Sequence, residues 1–150
     1  STTGRRFPSV AEFALDPAFV ATSHSVIQLP LCEVRLQDDA RYPWLVLIPR
    51  RPGLRELEDL SPADRVQLLE ETLHAGSAVR AIGSTLGLAV DKLNIGALGN
   101  VTAQLHVHVV GRRPGDPAWP GPVWGHSPAE AYPAEVRDTA ITAARAALAV

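Results

Sequence analysis

A chain of 150 residues has the size of one domain, residues 1–150, and is long enough to bury a core of its own. With 46% hydrophobic and 20% charged residues, it has the make-up of an ordinary soluble globular protein rather than a disordered or fibrous one. A net charge of −2 argues against a broad basic footprint for nucleic acid, while leaving room for a small basic pocket that takes one nucleotide.

The single cysteine, Cys32, excludes an internal disulfide and fits a reducing compartment. No apolar run approaches the roughly 18 residues of a membrane-spanning helix, so no membrane association is expected. The opening "STTGRRFPSVAEF" has arginines without a following apolar stretch, which is not the pattern of a signal peptide. A cytoplasmic location is the expectation.

In chain order, a short helix is predicted around Val10–Leu15, stopped by Asp16-Pro17. "SVIQLPLCEVRL" (Ser25–Leu36) reads as one or two strands, with Pro30 marking a bend or an edge. "WLVLIP" (Trp44–Pro49) reads as a buried strand. "QDDARYP" (Gln37–Pro43) between them is a turn, which makes the pair an antiparallel hairpin.

A long helix is predicted over roughly 62–86. Ser61-Pro62 supplies the N-cap and an N1 proline, Asp64 stands at N3, and Gly83 or Gly87 ends it. Val66, Leu69, Leu73, Val79 and Ile82 form its apolar stripe. Strands follow at Lys92–Gly96 and Ala103–Gly111, joined by a Gly-rich turn through Leu98–Asn100. The next stretch has six prolines and three glycines and reads as an irregular loop. Its Trp119 and Trp124 are expected to pack over something, because two exposed tryptophans in a disordered tail are costly. Ala134–Val150 reads as an Ala-rich helix. The order of elements is that of an α+β protein with an antiparallel sheet of about five strands, a long central helix and a C-terminal helix.

The informative segment is "QLHVHVV", Gln104–Val110. In a strand, Gln104, His106, His108 and Val110 share one face, while Leu105, Val107 and Val109 turn to the core. Three readings compete: a partly exposed polar strand, a metal site, and nucleophilic catalysis. Zinc needs a third and usually a fourth ligand, and His24, His74 and His126 are isolated candidates. A neutral imidazole attacks phosphorus when its other nitrogen donates a hydrogen bond that fixes the tautomer. The preceding "NIGALGN" (Asn94–Asn100) is either a plain hairpin turn or a backbone that presents N–H groups to an anion.

These residues resemble the histidine triad (HIT) family of nucleotide hydrolases and transferases, whose motif is His-φ-His-φ-His-φ-φ with φ apolar. Here the motif reads Gln104-Leu105-His106-Val107-His108-Val109-Val110. "WLVLIPRR" and "LNIGALGNV" resemble two further family segments, so the likeness runs from about 32 to 112. The resemblance implies that His106 is the nucleophile forming a nucleotidyl-imidazole, with its tautomer set by the backbone carbonyl of Gln104. His108 helps to hold the α-phosphate. Asn94 is a ribose- or phosphate-side residue, and Gly99, Asn100 and the Val101 backbone form the phosphate-contacting turn. Asp38, or its neighbour Asp39, accepts from the ribose hydroxyls; plain turn chemistry is the competing reading.

Two departures stand out. Gln104 replaces the first histidine, and Trp44 stands where many members carry a histidine that contacts it. The glutamine side chain is expected to hydrogen-bond an imidazole or a ligand, which places Gln104 with His106 and His108 in the catalytic group. The resemblance implies cleavage at the α-phosphate of a nucleoside phosphoramidate or dinucleoside polyphosphate, without metal or other cofactor, by a homodimer built on the central helix and a shared sheet. Trp119 and Trp124 either roof the site or pack against the core or a partner. Arg41, Arg112 and Arg113 either meet a polyphosphate or are solvated surface. A nucleotide-binding protein with little or no turnover, and a metal-binding module through His106 and His108, are the alternatives.

Overall fold

The computed structural model describes residues 12–149. Its elements are α1 (Pro17–Thr22), β1 (Ser23–Gln28), β2 (Cys32–Gln37), β3 (Trp44–Pro49), α2 (Pro62–Leu86), β4 (Lys92–Gly96), β5 (Val107–Arg112) and α3 (Ala134–Leu148). The five strands form one sheet in the order β1-β2-β3-β5-β4, and every neighbouring pair is antiparallel. This is the α+β architecture expected from the sequence.

β3 lies at the centre and is buried along its whole length. Its alternation divides the core. Leu45 and Leu47 face α2 and α3, in a cluster with Val34, Leu36, Val79, Ile82, Val107, Val109 and Ala144. Trp44, Val46 and Ile48 face the other way, where Phe19, Tyr42, Val110, Ala118 and Val123 cover them. A sheet covered on both faces needs a central strand apolar on both, and "WLVLIP" is one.

α2 starts and stops where the sequence places it. Ser61 caps it, its hydroxyl accepting from Asp64 N at 3.2 Å, and Pro62 occupies the first turn. Gly87 ends it at φ +72°, a left-handed backbone that glycine adopts without strain. The apolar stripe divides instead of packing as one: Val79 and Ile82 are fully buried, while Val66, Leu69 and Leu73 are exposed. The N-terminal half buries Leu68, Thr72 and Ala75 instead. The buried Glu71 ties α2 to the β1–β2 turn, accepting from Leu31 N at 2.9 Å and Cys32 N at 2.7 Å. The bend expected at Pro30 is thus a turn bolted to a helix.

Two local expectations are corrected. Asp16-Pro17 begins a helix: Asp16 Oδ1 accepts from Ala18 N at 2.9 Å, and Pro17 takes the first position of α1. Residues 12–16 are not helical, and Val10 lies outside the described residues. The second correction is at β5, which starts at Val107, so Gln104, in a bend, and His106 precede the strand.

Candidate functional site

His106 and His108 sit on the sheet face opposite α2, with ring centroids 4.9 Å apart. β5 places them there because His108 pairs with Val46, whose side chain points to that face. His106 Nδ1 stands 2.7 Å from the Gln104 carbonyl oxygen. A carbonyl only accepts, so Nδ1 carries the proton. In the neutral ring Nε2 is then the nitrogen with a free lone pair. The phenyl ring of Phe19 stands edge-on to His106, with centroids 4.8 Å apart.

His108 is boxed by aromatic rings. Trp44 and Trp124 each stand 5.6 Å from it, centroid to centroid, and Trp44 Nε1 donates to His108 Nδ1 at 3.0 Å. Burial first, and the neighbouring His106 second, push the His108 pKa down from its ordinary value to about 4. His108 is therefore uncharged at neutral pH.

The Gln104 side chain bonds the N-terminal segment. Its Nε2 donates to the Ala14 carbonyl at 2.8 Å, and its Oε1 accepts from Asp16 N at 2.8 Å. This pairing leaves the side chain serving the N-terminal segment, and it touches neither imidazole. The residue meets His106 through its backbone oxygen alone. The segment it straps leads directly into α1, which carries Phe19 over His106.

A cavity of about 340 Å³ opens beside His106. Arg55, Glu56 and Glu58 line it from the β3–α2 connection, and Leu98 and Gly99 from the turn after β4. Gly99 has φ +72° and is part of this lining, as the turn reading requires. Asn100 and Val101 follow it at the exposed tip of the turn and contribute no side chain to the cavity. Asn94 lies on β4 opposite Val110, and its Oδ1 accepts from Arg112 Nη1 at 2.8 Å.

Asp38 is not brought to the histidines. It follows the end of β2, with β3 lying between that strand and β5. Its Oδ1 accepts from Tyr132 N at 3.0 Å and lies 3.2 Å from His24 Nε2. Asp39 is equally engaged, receiving Nε and Nη2 of Arg41 at 2.9 and 2.8 Å. Asp38 anchors the C-terminal segment at Tyr132, while Asp39 closes a local turn with Arg41 two residues on.

The arginines considered for polyphosphate are also committed. Arg112 is 1% exposed; its Nε and Nη2 meet Asp116 at 2.8 and 2.9 Å, and Nη2 also donates to Gly121 O at 2.8 Å. Arg113 donates to the Arg41 carbonyl at 3.1 Å. Trp119 lies over the Arg112 guanidinium at 5.7 Å, while Trp124 packs against Trp44 and His108. The sequence reading missed Phe19 and the cavity residues Arg55, Glu56 and Glu58. No motif marks them, because the loop and α1 reach the site only through tertiary packing. Among the described residues, no three His, Cys, Asp or Glu side chains group as a metal site.

The comparisons agree with this fold. A family model described as HIT domain matches residues 18–115. Among solved structures, a histidine triad (HIT) protein from Sinorhizobium meliloti is 41% identical, with a TM-score of 0.82, covering 88% of this chain and 94% of its own. A histidine triad protein from Bradyrhizobium japonicum is 39% identical with a TM-score of 0.86, covering 92% and 99%. A histidine triad protein from Marinobacter aquaeolei VT8 is 35% identical with a TM-score of 0.85, covering 93% and 98%. None of the curated proteins matches the chain. The chain belongs to the HIT family, whose members are commonly nucleotide hydrolases or transferases.

Proposed function

We propose that this protein is a nucleotide hydrolase that cleaves at the α-phosphate of a nucleoside phosphoramidate or a dinucleoside polyphosphate. The observation that carries the reading is the 2.7 Å contact between His106 Nδ1 and the Gln104 carbonyl. It leaves the Nε2 lone pair free on a side chain that lines a cavity. Nε2 attacks the α-phosphorus and forms a P–N bond. The P–N or P–O bond to the leaving group breaks, and that group departs with its electron pair and takes up a proton from solvent, which the hydrolytic water returns in the second step. A water oxygen then displaces His106, releasing the nucleoside monophosphate and the free imidazole. His108 and N–H groups of the turn through Gly99, Asn100 and Val101 stabilise the equatorial oxygens, and Asn94 contributes from the flanking strand. The cavity beside His106 is large enough to accept a phosphate-bearing group.

The test is release of AMP from an adenosine phosphoramidate and from a diadenosine polyphosphate, with wild type beside His106→Ala. The reading expects AMP from wild type and none above background from the variant. A nucleotide-binding protein with little turnover is the second reading; the covering of His106 by Phe19 favours it. It takes over if AMP binds wild type while neither substrate is cleaved.

We further propose a homodimer. Val66, Leu69 and Leu73 on α2, with Leu57 and Ile95, leave apolar side chains exposed, and among the described residues β4 is an edge strand with one side unpaired. A second copy covers both features at once. The lone, buried Cys32 suits a cytoplasmic protein.

A further inference from the structure

We infer that Trp44 is a positioning residue that holds His108 in the tautomer with its proton on Nε2, so that His108 acts as an uncharged donor to the substrate's phosphate. The tautomer follows from Trp44 and His108 alone; the phosphate as its acceptor rests on the nucleotide reading above.

The sheet brings the two side chains together. His108 pairs with Val46, so Trp44 is a diagonal cross-strand neighbour of His108 on the same face, within reach of a long side chain. The indole N–H reaches His108 Nδ1 at 3.0 Å. An indole nitrogen donates and never accepts. Nδ1 must therefore present its lone pair, and the proton of the neutral ring sits on Nε2. The ring is also held on its sides, by Trp124 at 5.6 Å and His106 at 4.9 Å between centroids.

The two histidines are thus set oppositely by two different partners. His106 is held by a backbone carbonyl, which accepts a hydrogen bond from its Nδ1–H and leaves the Nε2 lone pair as the nucleophile. His108 is held by an indole N–H, which occupies its Nδ1 lone pair and leaves Nε2 as the donor. One face of one strand then carries a nucleophile and a hydrogen-bond donor side by side. That division of labour is what attack on a phosphorus bearing anionic oxygens requires. Any side chain at position 44 that can accept as well as donate would leave the choice open.

Two-bond ¹H–¹⁵N correlation spectra of the full-length, ¹⁵N-labelled protein read the tautomers directly. Wild type should show a pyridine-like Nδ1 and a pyrrole-like Nε2 at His108, the reverse pattern at His106, and a scalar coupling between Trp44 Nε1 and His108 Nδ1. Trp44→Phe keeps an aromatic ring and removes the N–H; His108 should then move to shifts averaged between the two tautomers. With an adenosine phosphoramidate, its kcat should fall about tenfold with KM little changed, the scale of loss seen when a partner that orients a histidine is removed at metal sites. A protonated Nδ1 or averaged shifts at His108 in wild type would overturn the inference. So would unchanged His108 shifts in Trp44→Phe. If that variant fails to fold, the wild-type coupling decides: its presence supports the inference and its absence with a protonated Nδ1 ends it. If wild type releases no AMP, the hydrolase reading fails while the spectra still decide the tautomer.

Discussion

Gln104 and Asp16 are joined across 88 positions of the chain by a hydrogen bond of 2.8 Å from the Asp16 backbone N–H to the glutamine Oε1. With the bond from Gln104 Nε2 to the Ala14 carbonyl, the amide pairs with the N-terminal segment much as a neighbouring strand would. A histidine cannot make both bonds with this geometry, since its ring nitrogens point apart. The Gln104 side chain thus has a defined structural task.

Gln104→Ala is therefore expected to lower stability by about 1–2 kcal/mol, the worth of one part-buried and one exposed hydrogen bond. The His106–Gln104 backbone contact survives, so AMP release should persist while the site becomes more open. Urea denaturation checks the first expectation and a proteolysis assay on the N-terminal segment the second. Unchanged stability would show that the strap is held by something other than this amide.

His108 predicts a pH dependence of stability. Its unfolded value is near 6.5 and its folded value about 4. Above pH 6.5 the ring is neutral in both states. As pH falls from 6.5 towards 4, the unfolded chain takes up a proton that the folded chain refuses, so stability is lost through that window. Below about 4 the loss is complete, on the order of 3 kcal/mol. Denaturation midpoints measured between pH 7 and 4 should fall more steeply for wild type than for His108→Gln.

Asp116 is the sole carboxylate partner of Arg112 among the described residues, and both side chains are at most 1% exposed. Burial alone would raise the Asp116 carboxyl, but its bonds to Arg112 and to the Arg113 and Trp119 N–H groups hold it below the ordinary carboxylate value. Asp116→Ala leaves a buried guanidinium with a charge unmatched. A loss of about 3–5 kcal/mol is expected. Thermal melts check it; a change under 1 kcal/mol on this scale would mean that Asn94 and Gly121 suffice to hold Arg112.

Leu69→Glu puts a charge in the middle of the exposed apolar face of α2. Because the side chain is solvent-facing in one copy, the fold should keep its far-ultraviolet circular dichroism. Analytical ultracentrifugation should show a dimer for wild type and a monomer for the variant. A wild-type monomer at the same concentration rejects the homodimer.

Much of this architecture is readable from local chemistry. Ser61-Pro62 and Gly87 bracket α2 because capping and left-handed backbone are short-range requirements. The hairpin of β2 and β3 follows from a turn between two apolar runs. What escaped the sequence lies at longer range. Asp16-Pro17 can stop one helix or start another, and only the path of the chain decides. Val66, Leu69 and Leu73 have the spacing of a core face, yet periodicity does not tell a core from a face left for a partner. Asp38 sits where the family motif expects a ribose contact, but the C-terminal segment through Tyr132 crosses its carboxylate. The motif draws attention to Gln104, His106 and His108, while the hydrogen-bond partners of the Gln104 and Trp44 side chains lie 88 and 64 positions away.

The strap has a further consequence for the order in which the molecule is made. Residues 14–16 leave the ribosome early, and the amide that captures them emerges only after β1 to β4 have been synthesised. Until then the first segment and α1 have no anchor at Gln104, and the face under Phe19 lacks its cover. His106 follows Gln104 by two residues, so the strap and the imidazole under Phe19 arrive together. A nascent chain that ends before Gln104 has neither, and its β3 edge, which β5 would pair, stays open to other partners.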